Sequence, residues 1–323
     1  MVRPLNRRSY IKGIVASGAA IGLAGCSSGE EITDSPETDQ LTDTETATET
    51  QTTPMTNDTD YTPVVEQAAV TGSAVAANLF RRNIEVEYKD DTKANVVTQA
   101  DRGAQAAIMD TLDRLYPDAT IIGEEGDAAK EVPESGLSFV VDPLDGSYNF
   151  TRGNRLWCAS VAAVENAEPV AAASVAPALD DAYVGTPEGV HRNGEPVSVS
   201  DRTDPKGFMV APTYFWGFDS REQFAAAAHA VVERFSDLRR VGSTQLALAL
   251  VAAGEIEAAI TNLETNPWDT IAGAAMVEWA GGTVTDLNGD AWEPDSKGLV
   301  ASNGGAHDLV LEATQEIEAA KES

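Results

Sequence analysis

The chain has 323 residues, 42% hydrophobic and 23% charged, with 52 Asp and Glu against 22 Lys and Arg for a formal charge of −30. That apolar content fills one large domain or two medium ones and excludes collagen-like, wholly disordered and small disulfide-scaffold chains. A field this negative repels phosphate backbones and so excludes general nucleic-acid binding, while two Cys and three His exclude a disulfide framework and a multi-histidine zinc site.

In chain order, the arginine pair of Asn6-Arg7-Arg8-Ser9-Tyr10-Ile11-Lys12 precedes an apolar stretch over 13–24, the order of a twin-arginine export signal, and the stretch is too short to span a bilayer. Leu23-Ala24-Gly25-Cys26 has the form of a lipobox, so 1–26 reads as a signal and Cys26 as the lipidated first residue. The expected location is the outer face of the cytoplasmic membrane, with the lipid as the sole membrane contact. Residues 27–60 carry ten acids, eleven Thr and no Lys or Arg, which predicts a disordered, self-repelling tether. Asn57-Asp58-Thr59 is a glycosylation sequon within it. Only seven Lys occur in the whole chain, a surface chemistry resembling that of salt-loving archaea.

The folded part divides near residue 200, into an N-terminal α+β half over 61–200 and a C-terminal α/β half over 201–323. Thr62-Pro63 opens a helix whose apolar positions continue to Leu79 and Phe80. A second helix begins at 99–101 and stops before Pro117. Strands are predicted over 120–122, 138–141, 157–164, 169–175 and 181–186, with an Asn193-Gly194 turn into a further strand. In the second half, strands are predicted over 208–211, 256–261 and 283–287, and helices over 220–235, 243–253, 268–280 and 308–320. Helices first, then strands, then alternation predict layered helices and sheets in two stacked halves.

The chemistry concentrates in Val140-Val141-Asp142-Pro143-Leu144-Asp145-Gly146-Ser147-Tyr148-Asn149-Phe150. An apolar strand delivers Asp142, Pro143 removes a donor and bends the chain, and Asp145 returns to the same side. Gly146 permits close approach, and Ser147 stands where the N–H groups of a following helix point outward. Two carboxylates and the Leu144 carbonyl form an oxygen-only set suited to Mg²⁺, with Mn²⁺ as the alternative ion. Alone, such a turn is equally a solvated bend between strands. Three further acids stand at the ends of apolar elements: Glu124 after Ile121-Ile122-Gly123, Asp101 after Val96-Val97-Thr98-Gln99-Ala100, and Asp269 after Pro267-Trp268. Ala272, Gly273 and Ala275 let the helix behind Asp269 pack closely.

These strings, with Pro267-Trp268-Asp269 and the helix following it to Gly281-Gly282, resemble the inositol monophosphatase family over essentially all of 61–323. The resemblance implies an αβαβα layered sandwich and Mg²⁺-dependent hydrolysis of a small phosphate monoester, such as inositol 1-phosphate, by in-line attack of an activated water. It implies metal ligation by Glu124, Asp142, the Leu144 carbonyl, Asp145 and Asp269, with two or three ions. Asp101, Ser147 and Glu124 are the implied catalytic residues, Ser147 and Asp101 taking the water's proton. Gly146, Ser147, Gly242, Ser243 and Asp269 are the implied substrate contacts, and a homodimer is the implied assembly. The family usually has Asp at Asn95, Glu at Gln105 and Thr at Ser147. Its inositol-binding glutamate falls on Asn262, with Glu264 nearby, which leaves the substrate open: fructose 1,6-bisphosphate or a nucleotide 3′-phosphate suits the same site.

Other templates fail. Within 61–323 there is no G-x-S-x-G elbow, and no Gly-Lys dipeptide supports a P-loop. Cys158 reads as a small buried hydrophobe, His191, His229 and His307 as surface or structural groups, and the Asn149 sequon as inaccessible. The rival class is a non-catalytic, lipid-anchored protein that binds phosphate esters or metal without turnover.

Overall fold

Strands buried on both faces need side chains small enough to pack two layers at once, and this chain supplies them as alanine and valine. In the computed structural model, which describes residues 59–88, 96–126, 128–214 and 216–322, helix α1 (Thr62–Leu79) begins with Pro at its first turn and buries Val64, Val65, Ala68, Ala69 and Ala76. Helix α2 (Gln99–Leu115) follows a short hairpin of β1 (Val86–Tyr88) and β2 (Val96–Thr98). The export signal, nearly all of the tether, Asn57 and Asn95 lie outside the described residues. No helix among the described residues is long and apolar enough to cross a membrane.

The first sheet runs in sequence order from β3 (Thr120–Gly123) through β4 (Leu137–Asp145), β5 (Cys158–Glu165), β6 (Glu168–Ala176), β7 (Asp181–Thr186) and β8 (Gly189–Arg192) to β9 (Glu195–Val197). Only β3 and β4 are parallel. A strand alternates its faces: Phe139, Val141, Val161 and Ala163 meet α1 and α2, while Val140, Ala162 and Ala172 face the molecule's middle layer. Strands β8 and β9 form the turn expected at Asn193-Gly194, where both residues have positive φ, 53° and 81°. Strand β8 itself adds to the predicted set.

The second sheet has the order β11-β10-β12-β14-β13, built from β10 (Met209–Pro212), β11 (Asp237–Leu238), β12 (Ala258–Glu264), β13 (Thr283–Thr285) and β14 (Lys297–Ser302). Helices α5 (Thr244–Ala252) and α6 (Pro267–Trp279) lie between the two sheets, and α4 (Arg221–Arg234) and α7 (His307–Ala319) cover the outer face of the second. The layers run α1α2, sheet, α5α6, sheet, α4α7: the αβαβα sandwich that the resemblance implied. The α5–α6 layer is tight. A Cβ on Gly273 would stand 2.5 Å from Leu248 Cβ, and Gln245 ties the helices by accepting from Gly273 N at 2.7 Å and donating to the Trp268 carbonyl at 2.6 Å.

Candidate active site

The signature strand β4 carries a bulge. Asp142 pairs with Ser160 and Asp145 with Cys158, so three steps on one strand oppose two on its neighbour. Residues three apart in a regular strand face opposite ways, and one extra residue restores a common side. Pro143 sits in the bulge, where a missing N–H is tolerated. The expectation that Asp142 and Asp145 share one side therefore holds, and the cause is this insertion. Gly146 then takes φ of 90° ahead of the short helix α3 (Ser147–Thr151). A Cβ there would lie 2.9 Å from the Leu156 carbonyl, so a side chain at this position would be both strained and crowded.

One cleft of about 690 Å³ is lined by Glu124, Asp142, Leu144, Asp145, Gly146, Ser147, Gly242, Ser243 and Asp269. These residues come from just after β3, the end of β4, the turn into α3, the turn before α5 and the first turn of α6. Burial pushes the Asp142 carboxyl well above the carboxylate range, and repulsion from Asp145, Glu124 and Asp269 adds to it. Burial first, then Glu124, pushes Asp269 up to about 7, against a 2.8 Å bond from Asn266 Nδ2. Asp145 is raised by burial and held back by donors: Ser243 Oγ at 2.5 Å and Gln245 N at 2.6 Å reach the same oxygen. Among the described residues, no three acidic or histidine side chains are gathered tightly enough to chelate one ion as they stand. Asp142, Asp145 and Asp269 each turn an oxygen to a protein donor, which separates like charges while keeping them on one cleft. The donor set fits a hard divalent cation: all oxygen, largely buried, and with raised carboxyl pKa values that a cation would reverse.

Asp101 stands behind the cleft wall. It is the third residue of α2 in a capping box with Thr98, whose backbone N and hydroxyl reach Asp101 Oδ2 at 2.8 and 2.6 Å. Its other oxygen accepts from Ser147 Oγ at 2.5 Å, and Ser147 Oγ also lies 2.8 Å from the Leu144 carbonyl. Burial raises Asp101, opposed by the Ser147 and Thr98 hydrogen bonds. Glu124 is placed through its backbone. Gln105 accepts from Glu125 N at 2.8 Å and donates to the Glu125 carbonyl, while Lys130 Nζ donates to the Gly123 and Glu124 carbonyls at 2.7 and 3.0 Å. A glutamine at 105 can both donate and accept in this pairing, which an ionised glutamate cannot.

Asn262 and Glu264 do not line the cleft. Asn262 is buried, accepts from Trp216 Nε1 at 2.9 Å, and donates to Gln223 and Glu318 at 2.7 and 2.9 Å. Cys158 is buried 3.9 Å from Ser243 Oγ. His191 and His229 are exposed, and His307 joins Thr285 to Ser302 at 2.9 and 2.8 Å, a structural bridge. The Asn149 amide is spent on the Leu156, Val241 and Gly242 carbonyls. Sequence reasoning missed Tyr148, Tyr214, Trp216, Phe218, Arg221, Arg240 and Asn266 as cleft residues. The one signal for them is a pair of arginines flanking a helix in a chain poor in bases.

Fold and cleft define an α/β enzyme with an acidic, oxygen-only site, and comparison with known proteins supplies its kind. The inositol monophosphatase family model matches residues 57–319. The fructose-1,6-bisphosphatase/inositol-1-monophosphatase of Thermotoga maritima is 33% identical over 234 residues, 72% of this chain and 87% of that protein. Nus factor SuhB of Escherichia coli K12 is 31% identical over 229 residues, 68% of this chain and 84% of that protein. The solved IMPase of Thermotoga maritima superposes with a TM-score of 0.70 at 29% identity, covering 79% of this chain and 95% of that one. The chain belongs to the inositol monophosphatase family, a family of phosphatases.

Proposed function

We propose that the protein hydrolyses a small phosphate monoester, inositol 1-phosphate or a close analogue, with Mg²⁺ held by Glu124, Asp142, Asp145, Asp269 and the Leu144 carbonyl. The observation that carries this reading is the convergence of those carboxylates on one cleft beside a hydroxyl already hydrogen-bonded to a buried acid. A bound divalent cation supplies charge neutralisation at the phosphate and lowers the pKa of water. The chain's own residues do the rest. Ser147 Oγ accepts the attacking water's proton while its own proton passes along the hydrogen bond to the Asp101 carboxylate, so no charge is left on the hydroxyl. The backbone N–H groups of Gly146 and Ser147, with the turn at Gly242 and Ser243, orient the phosphate. Phosphoryl transfer asks mainly for position and charge, which accounts for a cleft without histidine or a nucleophilic cysteine.

The double name of the Thermotoga relative supports fructose 1,6-bisphosphate as a second substrate reading on the same site, and a nucleotide 3′-phosphate is the third. The proposed setting is the outer face of the cytoplasmic membrane, through a lipid on Cys26, as a homodimer. The ordered series of Arg7-Arg8, apolar stretch and Cys26 supports export, and the family resemblance supports the dimer. The test is phosphate release from a panel of monoesters with Mg²⁺ and with chelator. Release that needs Mg²⁺ and disappears in Asp145→Asn is expected; metal binding without release from any ester would favour the non-catalytic rival.

A further inference from the structure

Outside the cleft, the surface at the end of α1 runs against the charge of the chain. Arg81 and Arg82 follow α1, Arg152 follows α3 and Arg155 stands just before β5; all four are exposed. They share one patch. Arg81 Nε donates to the Gly153 carbonyl at 3.0 Å, and Arg155 Nε donates to the Ala178 carbonyl at 2.5 Å. Beneath them the Phe80 ring centroid lies 5.3 Å from that of Phe150 and 5.4 Å from that of Trp157. The stretches that meet here, 67–84, 146–164 and 169–179, contain these four arginines and no acid, in a chain with 52 acids to 22 bases. None of the four is in an ion pair with a described residue. The carbonyl end of α1 attracts Arg81 and Arg82, but it gives no reason for Arg152 and Arg155. The Arg152 guanidinium lies 5.0 Å from the Tyr148 ring centroid and donates to its hydroxyl at 3.2 Å. Tyr148 lines the cleft, so the patch borders the cleft mouth.

We infer that the acidic tether of this same chain docks on the arginine patch. Charge complementarity names the occupant: residues 27–60 carry ten acids and no Lys or Arg, with eight of the acids from Glu30 to Glu49. Reach permits the contact. The tether joins the start of α1, and the patch lies at the far end of that 18-residue helix, about 27 Å away. The chain from Glu49 to Asp60 spans up to about 37 Å, and the acids before Glu49 reach further. Attachment to the same chain makes the contact intramolecular, at the high effective concentration of a short linker. Several exposed charge pairs within one Debye length add up where a single pair contributes little. The formal charge of −30 meanwhile repels an anionic membrane from the same patch. The docked tether lies along the rim of the cleft at Tyr148, and its self-repulsion is relieved by a folded surface free of acids.

The test places a nitroxide spin label on Thr42→Cys in the chain from residue 27 onward and reads the paramagnetic relaxation of backbone amides, at the lowest salt in which a thermal melt shows a folded chain. Cys158 is buried and escapes the label. Amides of 81–84 and 152–155 should relax about threefold faster than with a diamagnetic label, while Val232, exposed on the opposite outer layer, should be unaffected. The enhancement should disappear when the salt is raised about tenfold, and in the quadruple variant Arg81→Gln, Arg82→Gln, Arg152→Gln, Arg155→Gln. A second variant, with the eight acids from Glu30 to Glu49 changed to Gln or Asn, leaves the folded part's sequence intact and should lose the enhancement equally. Equal relaxation at the patch and at Val232, or an enhancement that survives either variant, overturns the docking. Sedimentation of the wild type but not the quadruple variant with phosphatidylglycerol vesicles, without any enhancement at the patch, assigns the surface to a lipid partner and overturns it as well.

Discussion

Ser147 is the smallest group on which the proposed chemistry turns. Its hydroxyl has two acceptors in reach, Asp101 and the Leu144 carbonyl, and among the described residues that line the cleft it is the one hydroxyl bonded to Asp101. Replacing Ser147 with Ala should lower kcat by about 10²–10³-fold while leaving Mg²⁺ binding in place, and Thr should retain activity because it keeps the hydroxyl. Steady-state kinetics with calorimetric Mg²⁺ titration checks both. Residues of this kind are legible in the sequence because they lie in short strings where an acid follows an apolar strand. Arg221, Arg240 and Tyr214 are not, because only the fold brings the segments between β10 and α5 to the far wall of the cleft. The position of Asn262 is misleading for a related reason: spacing from Asp269 places it near the cleft along the strand, but alternation turns its amide inward to Trp216 and Gln223.

At the scale of elements, the long helices and the apolar strands of the first sheet are readable from period and caps. Strands β1, β2, β8, β11 and β14 are not. Two or three residues of half-exposed edge, as in β1 and β11, carry no period to detect. Strand β14 hides behind Gly298 at φ of 77°, which leaves an apolar run of only three residues. The element that most needs close packing is α6, since it presents Asp269. Gly273 touches Leu248 and Gln245 with no room for a methyl, so Gly273→Ala should destabilise the protein by about 1–3 kcal/mol despite the better helix propensity of alanine. A thermal melt reads this as a drop of several degrees; an unchanged or higher melting temperature would show that the α5–α6 layer yields.

Over the whole molecule, four hydrophobic clusters packed about two sheets serve to hold acids from distant segments on one cleft. The cost is electrostatic, because Asp142, Asp145 and Asp269 are buried near one another and near Glu124. These carboxyls titrate higher in the folded chain than in the unfolded one. Between the ordinary value of 3.8 and about 7 the folded metal-free protein therefore holds more protons, and its stability falls as pH rises through that window. A divalent cation reverses the preference by favouring the charged carboxylates. The measurement that bears most directly on a shared cation pocket is the melting temperature at pH 5 and pH 8, with and without Mg²⁺ at matched ionic strength, for the wild type and Asp269→Asn. The prediction is a loss on the order of 5 °C at the higher pH without Mg²⁺, recovered on adding it, and a smaller loss and smaller recovery in the variant. A metal-free protein that is more stable at pH 8 than at pH 5, or one that Mg²⁺ stabilises no more than the matched monovalent salt, would contradict it.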